Sequence, residues 1–504
     1  MRRFAALLAI LAAGCTTMEP KYVRPDPAVP ASWPAGDPGL AQAEAGLPAL
    51  TYKQVFTDAR LQTLIAQGLA NNRDLQAAAA NIAAAREQYR IQRAQQFPQL
   101  DASAGVTLTG NRSSRGSGSA SGNNNNGGAG NGSGVRAQYE AGVSVPSFEV
   151  DLFGRLRSLT HVQLEHYFAT EAGARATRLA LVANIANAWL DYAADSSLLR
   201  ISSETASSAA KSVQLTRIRL EGGVAPRTDL DQAEQIMDAA QADLAREKTQ
   251  VAQDVNALQL LVGAPIDATL LPGSIDDAFG TITPVSPGLD SYVLLRRPDV
   301  IQAEYELRSA NANIGAARAA LFPRITLTGL LGFASGALLK LFTGGAFGWS
   351  AGANASYTIF QAGAGHANVR LTEAQQRAAV ANYQGTIQTA FRDVSDALAR
   401  RGTINDEIAA RQRQQAATAD TYLLTEARYR AGIDPFLTVL DAQRSYYAAQ
   451  QTLVSIKLTA AQNIVTTYQS IGGDALLQGT PICQPLPGDA GQPNAVLSKE
   501  CLPA

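Results

Sequence analysis

The chain carries only three histidines, His161, His166 and His366, and three cysteines, Cys15, Cys483 and Cys501. A zinc or transition-metal site needs such ligands, with carboxylates, at short and specific spacings. None of the six stands in such a pattern; His161 and His166, five residues apart, fall on different faces of a helix. Ser208 and Lys211 in "SAAK" have a Ser-x-x-Lys spacing, but the stretch lies mid-helix, without the companion motifs of acyl transfer. No phosphate-cradling glycine loop occurs. These readings point away from an enzyme and from a bound cofactor or metal. With 42 Lys+Arg against 43 Asp+Glu, there is no basic excess to suggest a nucleic-acid partner.

The cysteines suggest a different chemistry. "MRRFAALLAILAAGC" opens with Arg2 and Arg3, continues as an apolar stretch over residues 4–13 and ends in Gly14-Cys15. That is a secretory signal over residues 1–14, too short for a membrane-spanning helix. Ala12, Ala13 and Gly14 before Cys15 resemble a bacterial lipobox, which implies cleavage and a covalent lipid on Cys15. Ala12 departs from that pattern, which prefers a large aliphatic residue there. Thr16 follows where Asp would commonly hold a lipoprotein in the inner membrane, so the resemblance points to the outer one. Cys483 and Cys501 lie in a Pro/Gly-rich tail, residues 473–504; in an oxidising compartment they are a candidate disulfide, and the sequence leaves their pairing open.

The elements that position these groups occur twice. Shifted by 209 positions, residues 223–263 match residues 432–472 without a gap, with 11 identities in 41 residues, Gly223/Gly432 and Pro226/Pro435 among them. The same shift pairs Ser147 with Ser356 and Gly154 with Gly363, whereas Phe97-Pro98 answers Phe322-Pro323 at a shift of 225. The first copy therefore holds 16 extra residues, and the low-complexity tract at 111–134 falls in that window. Such a Gly/Ser/Asn tract buries too little apolar surface to order itself, so it reads as a surface loop.

On either side of that loop the pattern has period two. Leu100, Ala102, Ala104, Val106 and Leu108 alternate with Asp101, Ser103, Thr107 and Thr109; Ala137, Tyr139, Ala141, Val143 and Val145 alternate with Gln138, Glu140, Gly142 and Ser144. The second copy repeats this with Ile325, Leu327, Leu331 and Phe333, then Phe347, Trp349, Ala351, Ala353, Ala355, Tyr357 and Ile359. Strands of this length with one apolar and one small or polar face are the signature of a membrane barrel; a soluble half-buried sheet is the alternative, which the small inward residues disfavour. The reading places them at 99–110, 136–150, 324–334 and 347–360. Four strands cannot close, and an open edge is too costly in lipid. The barrel must therefore be shared between subunits.

The rest reads as helix: 60–97 and 298–321 before the strands, 155–221 and 366–431 after them, and return helices at 227–262 and 436–471. Residues 155–221 contain no proline and one glycine, Gly173; 67 residues make a helix of about 100 Å. Leu230, Met237, Leu244, Val251 and Leu258 recur every seven residues, as in coiled-coil packing. The organisation is an extended segment at 15–59, a first repeat at 60–264, a linker at 265–297 and a second repeat at 298–472. The fold class is mainly α with membrane β, a duplicated strand–strand–long-helix unit.

"EVDLFGRLR" at 149–157, "FPRITLTG" at 322–329 and "YRAGIDPFLTVLDAQRSYYAAQ" at 429–450 resemble TolC-type outer-membrane efflux channels. "PKYVRPDPAVPASW" at 20–33, after the lipobox, looks like the OprM-type lipoprotein branch. The resemblance implies a homotrimer in outer-membrane lipid, with a 12-stranded barrel continued by an α-helical coiled-coil tunnel in the periplasm. It implies the exit duct of a tripartite pump, partnered by a periplasmic adaptor (a membrane fusion protein) and an inner-membrane transporter of the resistance-nodulation-division type. It places Asp441 at the constriction with Leu437 one turn before it, and lets Tyr429 link to the acidic position Thr228-Asp229 of a neighbouring coil. Thr438 stands where some relatives carry a second acidic residue, and Asp434 where others carry a basic latch. Drugs or other small molecules are the expected cargo. Heavy-metal cations and type I protein secretion are the alternatives, and a periplasmic scaffold or adaptor without a pore is the rival of a different class.

Overall fold

The computed structural model describes residues 17–30, 33, 51–110, 135–284 and 291–473. The signal, Cys15, the loop at 111–134, and Cys483 and Cys501 with their tail lie outside the described residues. In chain order the elements are α1 (Tyr52–Val55), α2 (Ala59–Asn71), α3 (Arg73–Ala94), β1 (Asp101–Gly110), β2 (Val135–Val150), α4 (Arg155–Glu221) and α5 (Arg227–Val262). They continue as α6 (Ile275–Phe279), α7 (Pro298–Ala319), β3 (Arg324–Ser335), β4 (Phe347–Ser356), α8 (Ala364–Arg430) and α9 (Phe436–Ser470). Two compact units emerge. One gathers Arg86–His166 and Leu307–Ala378 with the N-terminal piece through Val23; the other gathers Arg24–Ala85, Tyr167–Glu306 and the chain from Ala379.

The first unit contains an antiparallel sheet in the order β1-β2-β3-β4. Its register turns the sequence alternation into faces. Ala102 pairs with Val143, Val143 with Leu331 and Leu331 with Trp349, and the next row joins Ala104, Ala141, Phe333 and Phe347. Directly paired residues share a face, so these rows make one apolar surface. Asp101, Ser144, Leu330 and Ser350 form the matching row on the other face. Trp349 is 70% exposed and Leu331 53%, although nothing polar surrounds them on their face. The β2–β3 ladder shifts between Val145 and Phe148, where Pro146 has no N–H to donate. Three pairs along the same ladder, Gly142 faces Gly332; a Cβ on Gly332 would lie 2.7 Å from the Ala141 carbonyl oxygen.

Two expectations are corrected here. The fourth strand ends at Ser356, not 360, because β3 starts at Arg324, the partner of Ser356, directly after Pro323. The first predicted helix is two helices. Asn72 leaves helical geometry at φ −61°, ψ 132°, its Oδ1 accepts from the Leu75 amide and its Nδ2 donates to the Leu261 carbonyl. One side chain thereby caps α3 and ties the break to α5.

The second unit holds the helical core. Phe56, Leu61, Ile65, Ile185, Trp189, Leu258, Tyr383 and Tyr468 are fully buried there, each contributing about 1.5–3 kcal/mol relative to exposure. The Phe56 and Tyr468 rings meet edge-on at 5.5 Å, and Trp189 donates to the Leu270 carbonyl at 3.1 Å. α4 and α8 have 67 residues each, about 100 Å of helical contour apiece.

Candidate functional site

Both long helices stop the same way. After α4, Gly223 takes φ 72°, its amide donates to Leu220 and the Val224 amide to Arg219. After α8, Gly432 takes φ 77°, its amide donates to Tyr429 and the Ile433 amide to Arg428. This is the Schellman termination, in which a left-handed glycine lets the last carbonyls be satisfied. Pro226 and Pro435 then cap the return helices at φ −74° and −70°, each a rigid lead into α5 and α9.

A small core packs behind the turns: Val213, Ala233, Tyr429, Phe436, Val439 and Leu440. Of the predicted site residues, Tyr429 is the buried one, 5% exposed, with its ring 5.1 Å from Phe436. Its hydroxyl is enclosed and has no hydrogen-bond partner among the described residues. Thr228 is exposed and Asp229 half-buried at the start of α5, and neither is bonded to that hydroxyl here. On α9, Val439 and Leu440 are buried while Leu437, Thr438 and Asp441 are exposed. Leu437 and Asp441, four residues apart, share one helix face, and Leu437 is 54% exposed although apolar.

Asp434, where the sequence reading left the latch network open, has a definite role in its own turn. It accepts from Arg428 Nε at 2.6 Å and Nη2 at 2.9 Å, a fork-on-carboxylate pair. The guanidinium holds the Asp434 carboxyl below its usual range. Arg219 was missed: its guanidinium lies 4.5 Å over the Tyr429 ring and its Nη1 donates to the Tyr429 carbonyl at 3.0 Å.

A second missed group lies along α5. The predicted heptad stripe has a companion three residues on, Ala233, Ala240, Glu247 and Asp254, and all four are buried. Two carboxylates thus sit in a coiled-coil seam, facing Asp191 and Asp195 of α4. One Asp254 oxygen is enclosed without a donor among the described residues unless Asp195 carries a proton. Burial and then Asp254 push Asp195 up to about 7; burial and Asp254 also push Asp191 up to about 6, against the Gln462 hydrogen bond. A carboxyl raised above its unfolded value keeps a proton that the unfolded chain releases, so its stabilisation is complete in acid and is lost as pH rises towards about 7. Asp195→Asn should therefore raise the apparent unfolding temperature at pH 8 and leave it unchanged at pH 4. The expected gain is on the order of 1 kcal/mol per chain, discounted for a half-exposed group. Equal shifts at both pH values in a detergent melt would refute the assignment.

The histidines do other work. His161 Nδ1 is 2.9 Å from Glu19 and Nε2 is 3.0 Å from Glu165. These bonds, Glu165's first, push the imidazole up to about 10, so an imidazolium ties the N-terminal segment to α4. Among the described residues no group of three His, Cys, Asp or Glu is placed to hold a metal ion, and no helix is long and apolar enough to cross a membrane.

Comparison with known proteins fits this geometry. The model of the family described as "Outer membrane efflux protein" matches residues 64–264 and 290–473. The chain is 41% identical over 478 residues to the toluene efflux pump outer membrane protein TtgC of Pseudomonas putida, covering 93% of this chain and 94% of that one. It is equally similar, with the same coverage, to the antibiotic efflux pump outer membrane protein ArpC, also of Pseudomonas putida. Among solved structures, the open state of the Neisseria gonorrhoeae MtrE outer membrane channel superposes with a TM-score of 0.78 at 31% identity, over 91% of this chain and 99% of MtrE.

Proposed function

Because the chain belongs to the outer membrane efflux protein family, we propose that three copies form the outer-membrane exit duct of a tripartite efflux pump, passing small hydrophobic molecules out of the periplasm. The observation that carries this is the sheet. It has a continuous apolar face and two edges, on β1 and β4, that no other strand among the described residues pairs. In lipid every backbone group must be satisfied, so β4 of one copy pairs with β1 of the next, antiparallel as within the chain. Three copies then close twelve strands, well within the barrel range.

The two long helices and their return helices of each copy continue the wall as a periplasmic tunnel. The turns at Gly223 and Gly432 end the long helices of this tunnel, and the exposed Leu437–Asp441 face of α9 lines its narrowest point. The exposed Thr228 and half-buried Asp229 are contacts available between neighbouring coils, and the enclosed Tyr429 hydroxyl reaches such a partner only when the coil ends shift. A lipid on Cys15 anchors the chain to the outer membrane. A periplasmic adaptor and an inner-membrane transporter supply cargo and energy; the duct itself performs no reaction and needs no cofactor. The cargo class follows relatives named for toluene and antibiotic efflux.

Two measurements test the reading. The purified protein should have a trimer's mass in detergent, and a deletion strain should become sensitive to hydrophobic drugs, dyes or solvents. A water-soluble monomer, or unchanged sensitivity across a broad panel, would sink it.

A further inference from the structure

Arg219 and Arg428 are the same residue of the two repeats, separated by the 209-position shift, and each accepts the same Schellman hydrogen bond at its carbonyl. Their guanidinium groups nevertheless go to different places. Arg428 folds back onto Asp434 of its own turn. The first repeat has Ala225 at the position of Asp434, so Arg219 lacks the carboxylate that captures Arg428, and the first turn's acidic residue, Glu221, stands instead where the second has Arg430. It crosses instead to the end of α8, lying on the Tyr429 ring and donating to the Tyr429 carbonyl. There the cation also meets the negative ends of two helices, its own and α8.

From this asymmetry we infer that Arg219 is a positioning residue of the gate, setting the resting place of the α8 end and, through Tyr429 and Phe436, of the Leu437–Asp441 face. The inference rests on the channel reading above. Within the chain Arg219 holds Tyr429 from one side only. Its ring and carbonyl belong to Arg219 of the same chain, and its hydroxyl remains for another partner. Neither use interferes with the other, because the cation covers the ring face and the carbonyl while the hydroxyl lies at the ring's far edge.

Single-channel recording on the reconstituted full-length protein tests this with four variants. Arg219→Ala removes the tie. Ala225→Asp recreates in the first turn the carboxylate that captures Arg428 in the second, and so should draw Arg219 off Tyr429 while leaving every existing side chain in place. Both should raise the open-to-closed ratio, by about tenfold for a lost cation–ring contact with its hydrogen bond. Arg219→Lys, which keeps the charge but not the planar stacking, should fall between them and the wild type. Tyr429→Phe keeps the ring and carbonyl and should show less opening than either. Wild-type gating in both Arg219→Ala and Ala225→Asp overturns the inference, as does a Tyr429→Phe effect equal to that of Arg219→Ala, which would assign the position to the hydroxyl. If Arg219→Ala does not assemble, Ala225→Asp decides alone. A wild-type protein that forms no channel would instead remove the function reading, and this inference with it.

Discussion

Leu331→Arg should eliminate the trimer from the outer membrane, whereas Leu330→Arg, one residue earlier, should leave it assembled. The two leucines are equally exposed in the single chain, at 53% and 50%, so exposure does not distinguish them. Register does. Leu331 sits in the row of Ala102, Val143 and Trp349, and Leu330 in the row of Asp101, Ser144 and Ser350. An arginine at mid-depth on a lipid-facing row costs about 2–4 kcal/mol. Three copies triple the penalty, which approaches the whole stability of a typical domain. On the opposite row the same cation meets water and the Asp101 carboxylate. Membrane fractionation and the heat-resistant trimer band on a gel report both variants. If both assemble, or both fail, the faces have been assigned wrongly or the sheet does not meet lipid.

The second large effect is expected at Asp441. Substituting Asp441→Ala removes one exposed carboxylate from each chain, and in the closed trimer proposed above these three carboxylates would form a ring of like charges beside the apolar Leu437. Charged rings and apolar constrictions set conductance and ion preference together. Conductance in planar bilayers should rise severalfold and preference for cations should fall, while Thr438→Ala, exposed on the same turn, should change neither. Wild-type conductance together with wild-type selectivity in Asp441→Ala would take this residue out of the constriction.

Much of the architecture was legible because two periodicities are physical. Alternation by two has one meaning in a pleated strand, and Trp349, Leu331 and Val143 fell on one face as their spacing required. The turn between α4 and α5 was readable because a left-handed glycine and a rigid proline are local signals that need no tertiary partner. The break at Asn72 was hidden because its side chain is held by the Leu261 carbonyl, 189 positions away. Likewise, a stripe of leucine, methionine and valine recurring every seven residues announces a seam but not that Glu247 and Asp254 occupy its other row.

What the amino-acid order determined alone is therefore the duplicated plan: which segments are strands and helices, where each long helix turns back, and that four strands leave the sheet in need of other copies. The partners of charged side chains were decided only in three dimensions. Arg219 and Arg428 have the same repeat position and the same local turn, yet one lies on Tyr429 and the other on Asp434. A long flexible cation goes to the best acceptor within reach, and that depends on which helices have been brought together. The carboxylate seam follows the same logic, since Asp195 is raised by burial and then by the Asp254 side chain that folding places against it.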